Sequence, residues 1–277
     1  ALQDAIMIPE NYKYAINELP EMKAAIHDWY KDRYHVELTN DEMICLQGSQ
    51  EALSTLFLAM CDSGDIVLVP DPYYPIFSDG PKIAGAKVEY MPLLEEYNYI
   101  IQLDKIDEEI AKKAKMMIVS YPNNPTCAIA PDSFYEELIA FAKKYDIVVL
   151  HDNAYSELVF DGKVGKSFLS FAGAKEVGIE LNSFSKTYGM AGARLGVCVG
   201  NKEVIECYNT LKSNMDYGIF LPVQYAGIEA LRHGGASIHS TCQAYQDRRD
   251  ALCEIFDSVG WHIASSPATM FAWAKIP

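Results

Sequence analysis

A lysine set among hydroxyls, glycines and an arginine is the strongest chemical signal in this 277-residue sequence. The stretch Asn182-Ser183-Phe184-Ser185-Lys186-Thr187-Tyr188-Gly189-Met190-Ala191-Gly192-Ala193-Arg194-Leu195-Gly196 puts Arg194 eight positions after Lys186. A lysine amine becomes an imine-forming nucleophile when partial burial beside other positive charge lowers its pKa. Arg194 would supply that charge, and its planar fork also suits a phosphate. Gly189, Ala191, Gly192 and Ala193 let the backbone pass close to a flat ligand. A lysine by itself is ordinarily a solvated surface residue; these neighbours argue for chemistry.

Other residues could serve the same centre. Asp152 ends the apolar run Ile147-Val148-Val149-Leu150 and could be a buried anion, or equally a helix cap. Asn124 lies in Tyr121-Pro122-Asn123-Asn124-Pro125-Thr126, a turn sequence common in any protein. Gly48-Ser49-Gln50-Glu51 opens an apolar helix whose first N–H groups could face an anion. A helix end contributes only about 0.3–1 kcal/mol, up to about 2 when partly buried. That is too little to retain a dianion on a chain of net charge -15, so Arg194 and the Ser183 hydroxyl would carry most of the binding. Tyr74, between Asp71-Pro72 and Pro75, could stack on a ring or simply pack.

The elements that must position these residues alternate in type. Leu19 to Tyr34 reads as an amphipathic helix with Met22, Ile26, Trp29 and Tyr30 on one face, and Glu51 to Cys61 as a buried one. Asp65–Val69, Lys87–Met91, Lys115–Ser120, Ile147–Leu150, Val177–Ser183 and Leu195–Val199 read as short apolar strands. Ser133 to Glu136 has the spacing of a capping box opening a helix that runs to about Lys144. Short, wholly apolar strands separated by helices predict an α/β fold: a mostly parallel sheet covered on both faces, three layers deep. In such sheets ligands bind beyond the strand ends. Asn124, Asp152, Ser183 and Lys186 each follow a predicted strand, so one edge of the sheet would gather them.

The lysine stretch is similar to the signature of class I/II aminotransferases, fold type I enzymes in which that lysine carries pyridoxal 5′-phosphate as an internal aldimine. The resemblance implies that Asp152, in a segment resembling the family's D-x-A-Y element, pairs with the pyridine nitrogen and that Tyr155 reaches the ring's phenolic oxygen. It implies that Asn124 donates to the same oxygen, although Cys127 stands where the family usually has glycine, a departure expected to cost a small backbone adjustment. Ser49, Gln50, Ser183, Ser185 and Arg194 would surround the cofactor, Tyr74 would stack on it, and Tyr14 would reach the neighbouring subunit's phosphate. The last assignment implies a homodimer with shared active sites. Ser213 to Gly218 is similar to a stretch of the alanine and LL-diaminopimelate branch. The implied reaction moves an amino group between an L-amino acid and a 2-oxo acid.

Composition narrows the rest. An acidic surface is a poor match for nucleic acid or an anionic membrane. Seven scattered cysteines, odd in number and without a C-x-x-C pair, argue for a reducing, cytoplasmic setting. The six histidines show no metal-binding spacing, so no metal is expected; His151 should pack or bond, and Arg248-Arg249-Asp250 should sit on a solvated helix. The expected organisation is a leading segment at 1–24, a cofactor-binding large domain at 25–258 and the start of a small domain at 259–277. The family's N-terminal substrate segment would precede Ala1, and the arginine that grips the substrate carboxylate would follow Pro277, so the chain reads as truncated at both ends. Three alternatives stay open: a β/γ-lyase on the same cofactor, an inactive fragment, and a serine nucleophile in Ser183-x-x-Lys186. The last lacks its S-D-N and K-T-G partners.

Overall fold

A computed structural model describes residues 1–277. Seven strands form one sheet: β1 (Met43–Leu46), β2 (Ile66–Asp71), β3 (Lys87–Pro92), β4 (Ala114–Ser120), β5 (Val148–Asp152), β6 (Gly178–Ser183) and β7 (Gly196–Gly200). Their order is β1-β7-β6-β5-β4-β2-β3. The five strands from β3 to β6 run parallel, and β7 alone is antiparallel to its neighbours β6 and β1. The predicted mostly parallel α/β sheet is therefore present. Strand β1 was not expected, and Leu195–Val199 forms a reversed strand.

Eleven helices accompany the sheet: α1 (Leu2–Ile6), α2 (Pro20–Tyr34), α3 (Gln50–Met60), α4 (Ile76–Ile83), α5 (Glu108–Ala111), α6 (Asp132–Tyr145), α7 (Ala174–Val177), α8 (Phe184–Thr187), α9 (Lys202–Met215), α10 (Leu221–His233) and α11 (Gly235–Ser258). Alternate residues of each strand feed two cores. On one face Met117, Val119, Val149, Val197 and Val199 pack with Met22, Ile26 and Tyr30 of α2 and Phe134 and Leu138 of α6. On the other, Met116, Ile118, Leu150, Leu181 and Cys198 pack with Leu53, Leu56 and Phe57 of α3, Phe77 of α4 and Tyr208 of α9. Burying each such Leu, Ile or Phe contributes about 1.5–3 kcal/mol, and covering both faces is why the central strands are mostly apolar.

Two local expectations are corrected. The capping box at Ser133 does not form. Helix α6 starts at Asp132 after Pro131, whose extended backbone (φ -71, ψ 161) sets the turn, and no side chain caps it. Arg249 is not solvated: its side chain is 7% exposed and pairs with Asp161 through both terminal nitrogens, at 2.8 and 2.9 Å. Cys127 has φ +65, the left-handed conformation that favours glycine, and its thiol fills the space between Thr269 and the carbonyl of Phe271. A boundary at 24/25 falls inside the continuous helix α2.

Candidate active site

The C-terminal ends of β4, β5 and β6 open onto a cavity of about 370 Å³, within the usual size of small-ligand sites. Ser49, Gln50, Tyr74, Asn124, Asp152, Tyr155, Ser183, Ser185, Lys186 and Arg194 all line it. Every site residue expected from the sequence is thus gathered in one place except Tyr14. That side chain is 78% exposed and lies against Tyr217 with ring centroids 5.1 Å apart, on the outer surface. Sequence reasoning missed Leu53, Ala154, Met270 and Phe271. The last two arrive through the C-terminal segment, which docks by the Val159–Ala268 bridge and by the Thr269 N–H donating to Leu158 O at 2.8 Å. No local pattern signals such a long-range contact.

The parts differ in how firmly they are held. Ser183 ends β6 and caps α8, its Oγ accepting the Ser185 N–H at 3.3 Å; Lys186 follows within that single turn. Tyr74 donates its hydroxyl to Gln50 Oε1 at 2.9 Å, tying the segment after β2 to the start of α3. Asn123, rather than Asn124, braces its turn, with Oδ1 accepting from the Thr126 N–H and hydroxyl, which leaves the Asn124 amide to the cavity. Ser49 begins α3 with no side-chain cap. The preceding Gly48 has φ +77, and a Cβ there would lie 2.4 Å from Arg194 Nη2. Only glycine lets the guanidinium rest against that turn.

Electrostatics single out Asp152. It is 5% exposed, and burial first of all raises its pKa from 3.8 to about 6, while His151, the Ala154 N–H and the Lys186 charge pull it down. Of six buried side-chain atoms without a hydrogen-bond partner, Asp152 Oδ1 is the only carboxylate oxygen. Burial, followed by the nearby Asp152 charge, also pushes Tyr155 well above the usual tyrosine range. A buried anion facing a cavity needs a cationic or N–H donor from outside the chain. An arginine on a glycine turn at a helix start needs an anion. Pyridoxal 5′-phosphate presents a ring N–H and a phosphate, so the residues present fit that group.

The profile of the family described as "Aminotransferase class I and II" matches residues 1–277. The chain belongs to that family. It is a pyridoxal-phosphate-dependent enzyme that transfers amino groups. This aminotransferase is 46% identical over 276 residues to the LL-diaminopimelate aminotransferase of Halothermothrix orenii, covering 99% of the chain and 71% of that relative. It is 41% identical over 271 residues to the Escherichia coli glutamate-pyruvate aminotransferase AlaC, covering 97% of the chain and 66% of that relative. Among solved structures it is similar to substrate-bound BacF from Bacillus subtilis, with TM-score 0.97, 36% identity, and coverage of 100% of this chain and 71% of that one. No helix of the aminotransferase is long and apolar enough to cross a membrane.

Proposed function

We propose that the aminotransferase works on LL-diaminopimelate and a 2-oxo acid, with Lys186 as the cofactor lysine and proton carrier. The observation behind the residue roles is the convergence of ten predicted side chains on one cavity beside a buried carboxylate oxygen that lacks a partner. Support for the substrate comes from the named activity of the H. orenii relative. Bound cofactor supplies an electron sink for the charge that develops when the substrate loses its Cα proton. Asp152 Oδ1 accepts the ring N–H and keeps that nitrogen protonated. The Lys186 ε-amine would take the substrate Cα proton as general base and, once protonated, return it as general acid to the carbon on the other side of the amino nitrogen. Tyr155 Oη and Asn124 Nδ2 orient the phenolic oxygen, and Tyr74 covers the ring.

Arg194, the Ser183 hydroxyl and the N–H groups at the start of α3 bind the phosphate, with Ser49, Gln50 and Ser185 shaping that end. Phe271 stands edge-on to Tyr155, centroids 5.5 Å apart, and helps exclude water. Tyr14 serves a second subunit. Met7, Tyr14, Ile16 and Tyr217 are 77%, 78%, 69% and 61% exposed, apolar side chains of the kind that a homodimer would cover. The cofactor-binding body would run from the start of α2 to Ser258, and 259–277 would begin a smaller domain. All seven cysteines are free, which suits a reducing, cytoplasmic setting.

An amino-acid panel, followed by the absorbance change from aldehyde to amine cofactor, tests this reading. LL-diaminopimelate should convert the cofactor fastest and release no ammonia. Faster conversion by alanine would reassign the substrate, and ammonia release would make the enzyme a lyase.

A further inference from the structure

Lysine is almost never fully buried unless paired, yet Lys212 of α9 is 4% exposed. Its ammonium lies 2.6 Å from Glu51 Oε1 and 2.6 Å from Asp216 Oδ2. It does not line the candidate cavity. Each carboxylate has a second oxygen with a separate task. Glu51 Oε2 accepts the Gln47 N–H at 2.5 Å, where the Gln47-Gly48-Ser49 turn begins. Asp216 Oδ1 accepts the Gly218 N–H at 2.8 Å.

Both tethered segments are contact points. Gly48 receives the Arg194 guanidinium, as described above. Gly218 has φ +89 and lies so close to Ala15 that a Cβ would sit 1.8 Å from its carbonyl oxygen. The adjoining Tyr217 packs on Tyr14. One buried ammonium therefore stands midway along a chain of contacts running from Arg194 to Tyr14.

We infer that Lys212 is a positioning residue for the phosphate end of the cofactor site. It fixes Glu51 so that the Gly48 turn receives Arg194 and the first N–H groups of α3 face the cavity. It also holds the 216–218 segment against the chain that carries Tyr14. Its charge matters as well as its shape. Lys212 with its two carboxylates sums to one negative charge; removing the ammonium leaves two, close to where an anion must bind. The inference rests on the proposed phosphate role of Arg194 and the α3 start.

The test compares binding of pyridoxal 5′-phosphate and of pyridoxal, which lacks the phosphate, to cofactor-free full chain, followed by absorbance. Wild type should prefer the phosphorylated form, and Arg194→Ala should lose that preference. Lys212→Met should weaken pyridoxal 5′-phosphate by about tenfold or more while changing pyridoxal by less than about threefold. Glu51→Ala unties the Gln47 N–H but also removes one negative charge, so it should show a smaller loss, still confined to pyridoxal 5′-phosphate, and serves if Lys212→Met does not fold. Equal loss of both ligands, or unchanged preference beside a lost preference in Arg194→Ala, would overturn the Lys212 role and leave the phosphate reading standing. A wild type without preference would sink both.

Discussion

Two buried carboxylates on neighbouring strands have opposite surroundings. Glu180, on β6 opposite His151, is wholly buried and saturated. It accepts from the hydroxyls of Tyr30 at 3.0 Å and Ser167 at 2.9 Å and from the Phe168 N–H at 2.8 Å, and it meets His151 Nδ1 at 3.0 Å. Asp152 follows His151 on β5 and so faces the other side of the sheet. There its Oδ1 has no partner. A protein that satisfies one buried acid so fully and leaves the next one open keeps the open one for a ligand. The closed acid belongs to the fold and the open one to the chemistry.

That contrast can be broken by substitution. Glu180→Ala should cost about 3–5 kcal/mol of stability, because it strands a hydroxyl pair, an N–H and an imidazole, and should leave the spectrum of bound cofactor unchanged. Urea unfolding and absorbance check it together. Asp152→Asn should lower kcat on the order of 10²–10³-fold, as loss of one electrostatic stabiliser does, with a melting temperature no lower than wild type in the cofactor-free protein.

The same substitution sharpens the contrast through pH. With the folded pKa of Asp152 at about 6 and the ordinary value at 3.8, its stabilising contribution is complete below about pH 4 and is lost as pH rises through about 6. Two pH units correspond to roughly 3 kcal/mol. Cofactor-free Asp152→Asn should therefore gain up to about 3 kcal/mol over wild type at pH 8 and nothing near pH 4, by denaturant titration at both. A gain independent of pH would contradict the assignment. The smallest effect concerns Cys127. Cys127→Gly should be more stable than Cys127→Ala by about 1 kcal/mol, since only alanine keeps the left-handed strain; equal melting temperatures would remove strain from the account.

The central parallel strands and the cavity were legible because β4, β5 and β6 are largely apolar runs that stop at a polar residue, and those stops carry Asp152, Ser183 and, four residues on, Asn124. Strand β1 was not. It has only four residues, Met43–Leu46, directly after a polar stretch, and its partners on β7, from Val199 to Gly196, lie at least 150 positions away. The reversal of β7 has a nearer origin: it pairs antiparallel with β6 across the connection 184–195, and an apolar run does not report its own direction. Phe271 reaches the cavity through a bridge to Val159, and Arg249 reaches Asp161 across 88 residues, so no periodicity reports either. The capping box failed for a nearer reason, Pro131 having already fixed the start of α6.

The most direct test of the central claim is chemical. The protein loaded with pyridoxal 5′-phosphate is reduced with borohydride, digested, and its peptides weighed. The account predicts one added reduced cofactor, on the peptide containing Lys186, and none after Lys186→Ala. A cofactor fixed to a different lysine, or retained covalently by the Lys186→Ala protein, would contradict it.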